Sequence, residues 1–116
     1  MKKKYRIKKN SEIDAIFKEK NQKGDTFFTV YHKDDETLGH FRFALSIGRK
    51  YGSAVERNLI KRRVRVIIEE YKKQFIFNKL IVVVIKPKAK ELDFHEMKSK
   101  LLDLLKKSKV LENVNA

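Results

Sequence analysis

Ser53-Ala54-Val55-Glu56-Arg57-Asn58-Leu59-Ile60-Lys61-Arg62-Arg63-Val64-Arg65 is the segment from which the rest of the chain can be read. Ser53 and Glu56 form a capping box: the hydroxyl accepts from the amide three residues on, and the carboxylate reaches back to the first amide. Behind them Ile60, Val64, Ile67, Ile68, Tyr71 and Phe75 recur at helical spacing. This predicts a long helix opening at Ser53 with an apolar stripe turned inward. At about 100° per residue, Lys61, Arg65, Asn58 and Arg62 take successive azimuths within roughly one 100° arc beside that stripe. Arg57 lies at the edge of the stripe. Like charges four residues apart repel, so a solvated helix face normally mixes Glu with Lys. Here no acid stands between Glu56 and Glu69. Guanidinium forks bind phosphate bidentately and stack on bases. Asn58 adds a neutral donor and acceptor suited to RNA or to a hydrated metal ion.

The charge of the whole chain is concentrated in the same way. Its 116 residues hold 29 Lys and Arg against 15 Asp and Glu, a formal net charge of +14. Residues 2–9 carry six basic groups and no acid, and residues 49–65 carry seven against Glu56 alone. These two blocks hold twelve of the fourteen excess charges. A local cationic field of this kind calls for a polyanion, either nucleic acid or an acidic membrane surface. The length fits one domain with one modest core, and a hydrophobic content of 41% is enough to fold it. The longest apolar run, Leu80 to Ile85, is six residues, far short of the roughly 20 of a membrane span. The N-terminus lacks the apolar region of a secretory signal. Without cysteine there are no disulfides and no thiolate metal ligands. The cytoplasm is the expected compartment.

Outward from the long helix the other elements follow. Asn10 or Ser11 caps a short helix carrying Ile13, Ile16 and Phe17, ending around Lys20. Thr26 to His32 reads as a strand, with Phe27, Thr29 and Tyr31 on one face and Phe28, Val30 and His32 on the other. Phe41 to Ile47 alternates more clearly still, and the polar turn Lys33 to Gly39 predicts that these two strands form a hairpin. Leu80 to Ile85, closed by Lys86-Pro87, is the pattern of a strand buried on both faces. Asp93 and Glu96 cap a last helix with Phe94, Met97, Leu101, Leu104 and Leu105 inward. Residues 1–9 are expected to be a basic arm without fixed structure, and residues 110–116 a frayed tail. The order is α-β-β-α-β-α in one α+β domain over residues 1–116.

No constellation for protein catalysis emerges, so no catalytic residue is assigned. His32, His40 and His95 are scattered and lack metal-ligand spacing. Asp34-Asp35-Glu36 lies in a predicted turn, whereas a two-metal nuclease needs carboxylates converging from rigid elements.

The string from Lys50 to Arg65 resembles the signature of the bacterial ribonuclease P protein subunit family, roughly Lys-x-Gly-x-Ala-Val-x-Arg-Asn-x-x-Lys-Arg-x-x-Arg. Each fixed position is matched, by Lys50, Gly52, Ala54, Val55, Arg57, Asn58, Lys61, Arg62 and Arg65. The basic N-terminus, Lys8-Lys9-Asn10, the aromatic-rich strands and Lys86-Pro87 extend the resemblance over nearly the whole chain. It implies a single RNA-binding domain with a mixed sheet and a left-handed βαβ crossover, the ribosomal protein S5 domain 2-like sandwich. The general rule for such crossovers is the right-handed one. It implies a non-catalytic subunit, inactive alone, of an endoribonuclease whose RNA removes the 5′ leader of precursor tRNA with Mg. Lys50, Arg57, Asn58, Lys61, Arg62 and Arg65 would bind the catalytic RNA, with Asn58 close to a metal ion at that interface. Ile13, Phe17 and Tyr31 would line a cleft for the single-stranded leader, bordered by the long helix and the sheet. Ile13 stands where many relatives carry an aromatic, and Leu59 where many carry a basic residue. The partners implied are the catalytic RNA and the leader, with no membrane and one copy of the chain in the holoenzyme. A ribosomal protein or general RNA chaperone is the alternative from another class. A DNA-binding regulator is disfavoured because no compact helix precedes residue 53 in a helix-turn-helix arrangement.

Overall fold

A computed structural model describes residues 2–112. Three helices, α1 (Asn10–Glu19), α2 (Ala54–Glu70) and α3 (Phe94–Lys107), accompany four strands, β1 (Gln22–Gly24), β2 (Phe28–Asp34), β3 (Arg42–Ile47) and β4 (Lys79–Ile85). The strands form one mixed sheet in the order β1-β2-β4-β3. β4 runs antiparallel to β2, from Phe28 opposite Ile85 to Asp34 opposite Lys79, and parallel to β3, from Arg42 opposite Leu80 to Ile47 opposite Ile85.

The expected hairpin of β2 with β3 is therefore not formed, because β4 lies between them. The reason is in the composition of β4. Leu80 and Val82 pack toward α1, while Ile81, Val83 and Ile85 pack toward α2 and α3. A strand apolar on both faces belongs at the centre, where its amides and carbonyls also find partners on both sides. β1 was not expected at all. Its three residues are exposed and show no alternation, and backbone pairing with Thr29 to Tyr31 alone defines it.

Alternation along the strands divides the core into two layers. Phe28, Phe43 and Ile81 meet Ile60, Val64 and Ile67 of α2 and Leu101 of α3 on one face. Ile16 of α1 meets Ala44, Leu80 and Val82 on the other. Both predicted capping boxes are present: the Ser53 hydroxyl accepts from the Glu56 amide at 3.2 Å, and the Asp93 carboxylate from the Glu96 amide at 2.8 Å. α2 stops at Glu70, and a tight turn at Lys72–Gln74 follows. Phe75 thus enters the core from the segment after the helix, paired across to Leu111, and does not prolong the helical stripe.

The basic arm is docked over much of its length. Lys3–Tyr5 makes one tight turn, Arg6 pairs with Phe43 as a parallel extension beside β3, and the Ile7 amide donates to the Phe43 carbonyl at 2.9 Å. Tyr5 packs against His40 and Phe41 at ring separations of 4.5 and 5.2 Å, with the Lys72 ammonium 5.1 Å from its ring. Two apolar side chains, Tyr5 and Ile7, give the arm enough burial to offset its charge, which a count of lysines conceals. In the expected tail, Val110 is buried and Leu111 pairs with Phe75. Residues 113–116 lie outside the described residues.

Gly52 fixes the entry to α2. Its backbone, at φ 157° and ψ −161°, lies in a region essentially reserved for glycine. A Cβ there would approach Glu56 Oε1 to 2.4 Å, forcing that carboxylate off the cap. Gly52→Ala is expected to cost about 1–3 kcal/mol of stability. Urea unfolding reads this directly, and a wild-type midpoint would refute the strain.

Candidate nucleic-acid interface

The α2 residues singled out from sequence are brought together as one flank. Asn58 and Arg62 are exposed, and Lys61 and Arg65 are half-buried beside them. Lys50 is exposed in the tight turn Arg49–Tyr51 that precedes the helix. Arg57 is partly committed elsewhere, since its Nη1 donates to the Gly52 carbonyl at 2.6 Å and ties the first turn to its approach loop. Arginine at this position thus has a structural role besides any contact to RNA. Lys90 adds a second tie, its Nζ 3.1 Å from Glu56 and 5.3 Å from the Tyr51 ring centre. Hydrogen bonding from the Ser53 amide, then from Lys90, holds the Glu56 carboxyl below its usual pKa.

Outermost on α2 stands a mixed ridge. Val55, Leu59 and Val66 are 78%, 40% and 47% exposed and share their azimuth with Arg62. Such a ridge can place guanidinium on phosphate and aliphatic carbon on ribose in one contact.

Ile13 and Phe17 of α1 and Tyr31 of β2 are also brought together, but on the opposite sheet face from α2. Phe17 and Tyr31 meet edge-to-face, with centroids 4.8 Å apart at 80°. All three are partly buried against Ile16 and Val82. These three residues thus lie in the α1 layer and not between the long helix and the sheet, where the cleft was expected. Strand alternation accounts for this: Tyr31 shares its face with Thr29, while Phe28 and Val30 point to α2 and α3.

The acidic cluster at residues 34–36 is occupied in closing the sheet end. Asp34 pairs with Lys79 at 2.6 Å, Asp35 accepts from the Thr37 hydroxyl at 2.6 Å, and Glu36 accepts from Asn78. Among the described residues no three His, Cys, Asp or Glu converge to hold a metal ion. No helix is long and apolar enough to cross a membrane among those residues.

His32 carries a pH dependence instead. Burial first, and the neighbouring Lys79 charge second, push its pKa below 6.5, with Asp34 opposing. The unfolded chain then binds more protons than the folded one as pH falls through 6.5. Stability is fully present above that pH and declines as acidification approaches the folded-state value. Thermal midpoints from pH 7 downward should show this fall, and His32→Gln should flatten it. Superimposable curves would count against the assignment.

One contributor escaped the sequence reading. Arg6 lines the same cavity as Arg62 and Arg65, and its charge, after burial, lowers the Arg65 pKa. The only signal available was Arg6-Ile7, a basic residue beside an apolar one at the end of a lysine run.

Known proteins match this arrangement over nearly its full length. The ribonuclease P family model matches residues 1–109. A ribonuclease P protein component from Onion yellows phytoplasma (strain OY-M) is 44% identical over 96% of this chain and 79% of its own. That of Acholeplasma laidlawii (strain PG-8A) is 40% identical over 97% of this chain and 96% of its own. Among solved structures, the Staphylococcus aureus RNase P protein superposes with a TM-score of 0.87 at 33% identity, covering 93% of this chain and 98% of that one. The RNase P protein from Thermotoga maritima gives 0.79 at 31% identity, covering 88% and 96%. Fold and sequence agree with these relatives, and the chain belongs to the ribonuclease P protein family.

Proposed function

We propose that this chain is the protein subunit of ribonuclease P, acting in the cytoplasm as one copy per holoenzyme. It binds the catalytic RNA through the flank of α2 and the 5′ leader of precursor tRNA through the aromatic surface beside α1. The observation that carries the reading is the α2 flank itself. Asn58, Lys61, Arg62 and Arg65 share one side of a capped helix, with no acid between Glu56 and Glu69. Cleavage belongs to the RNA and is Mg-dependent. Among the described residues the clustered carboxylates are engaged by Lys79, Thr37 and Asn78. Asn58 can hydrogen-bond a water of an ion that the RNA holds.

The chain contributes position and charge. Basic side chains release counterions from RNA phosphates and reduce the repulsion between catalytic RNA and precursor. Phe17 and Tyr31 offer rings to unpaired bases, and such stacking contributes about 1–3 kcal/mol per base without demanding a sequence. Adding the purified chain to its cognate catalytic RNA at low magnesium should accelerate leader removal. No gain would sink the reading and favour a ribosomal protein or general RNA chaperone. In the complex, precursor should bind more tightly than mature tRNA, and equal affinities would remove the leader contact.

A further inference from the structure

A cavity of about 420 Å³ opens between α2 and the N-terminal segment, lined by Arg6, Arg62, Arg65, Val66, Glu69 and Glu70. Its volume lies within the roughly 300–1,000 Å³ of ligand sites. Three guanidiniums around one cavity are costly. Burial and then the Arg6 charge disfavour the charged form of Arg65. Two carboxylates line it as well, Glu70 at 2.5 Å from Lys98 and Glu69 at 3.6 Å from Lys72. Among the described residues no ion pair involves Arg6, Arg62 or Arg65.

Arg6 also holds an unused donor. Its Nε is sealed from solvent and has no hydrogen-bond partner among the described residues, an arrangement that costs free energy, and the rest of the side chain is left to line the cavity. Nor can Arg6 retreat. Its backbone is paired with Phe43, and the next residue, Ile7, is 6% exposed and anchored in the α1 layer. Backbone pairing thus holds a guanidinium against like charge, with an empty volume in front of it.

We infer that this cavity takes one nucleotide of the catalytic RNA, its phosphate shared by Arg6, Arg62 and Arg65 and its ribose lying on Val66. The inference rests on the reading of the chain as the RNA-binding subunit, and adds to it a residue outside α2. One phosphate bridging helix and N-terminal segment also fastens that segment to β3, so RNA binding and closure of the sheet edge are coupled.

The test is a titration of the catalytic RNA across a range of salt concentrations with the wild-type, Arg6→Gln and Arg6→Lys chains. Loss of a charge-assisted phosphate contact lowers affinity on the order of tenfold in Arg6→Gln. The slope of log affinity against log salt falls by about 0.9. Arg6→Lys retains the slope but not the full affinity, because an ammonium lacks the planar fork. Hydrogen exchange at the Ile7 amide slows on adding RNA to the wild-type chain, and this RNA-dependent slowing is lost in Arg65→Ala. A merely structural Arg6 would change exchange in the free chain and leave the slowing intact. Affinity and slope unchanged in Arg6→Gln overturn the inference and leave the function standing. A wild-type chain that does not bind the RNA overturns both.

Discussion

Replacing Arg62 and Arg65 together by glutamate should weaken binding to the catalytic RNA on the order of a thousandfold at about 0.15 M salt. Two charge-assisted contacts at about 1.5–3 kcal/mol each are lost, and two repulsive groups now face the phosphates. The salt slope should fall by about 1.8, from two phosphates no longer neutralised. The same double substitution should leave the free chain folded. A carboxylate at position 65 would meet Arg6 with the opposite sign but also Glu69 one turn on, and the two effects offset. Affinity should therefore fall with little change in thermal midpoint, and an unchanged RNA affinity would reject the interface.

The second large effect is structural. Phe43→Ala should destabilise the fold by about 3–5 kcal/mol, the usual cost of emptying a buried aromatic site. Such a loss is a large share of the roughly 5–15 kcal/mol holding a domain together. Phe43 is 1% exposed and lies 6.3 Å from the Phe41 ring, which itself stacks on Phe75 at 4.3 Å. The backbone of Phe43 also carries the pairing of Arg6 and Ile7. Urea unfolding should show a lower midpoint with an unchanged slope. A loss under about 1 kcal/mol would mean that the site collapses around the missing ring.

Much of this architecture was legible because local signals were strong and redundant. Ser53 with Glu56 and Asp93 with Glu96 announced two helix starts, and the run from Leu80 to Ile85 announced a strand covered on both faces. Pairing was harder. The polar segment after β2 suggested a hairpin with β3, a local inference that competed with the centrality implied by β4. Tertiary burial prevailed, and the hairpin gave way. β1 carried no signal because its residues bury nothing and follow the register of β2.

The α2 flank was readable because azimuth follows from sequence spacing within one helix. The placement of Arg6 depends on pairing between residues 6 and 43, which no periodicity encodes. The group Ile13, Phe17 and Tyr31 was intermediate. Its residues were named together and do meet, yet placing them on the face away from the long helix required knowing which way β2 faces.

The central position of β4 also bears on how the chain is made. A ribosome releases β2 and β3 well before β4, whose Lys79 pairs with Asp34 across 45 residues of chain. Until residues 79–85 emerge, both earlier strands lack the neighbour that completes them. Non-local pairing of this kind slows folding and leaves strand edges open to wrong partners. One late strand thus acts as the keystone of synthesis, and the sheet should assemble in a single cooperative event once it arrives.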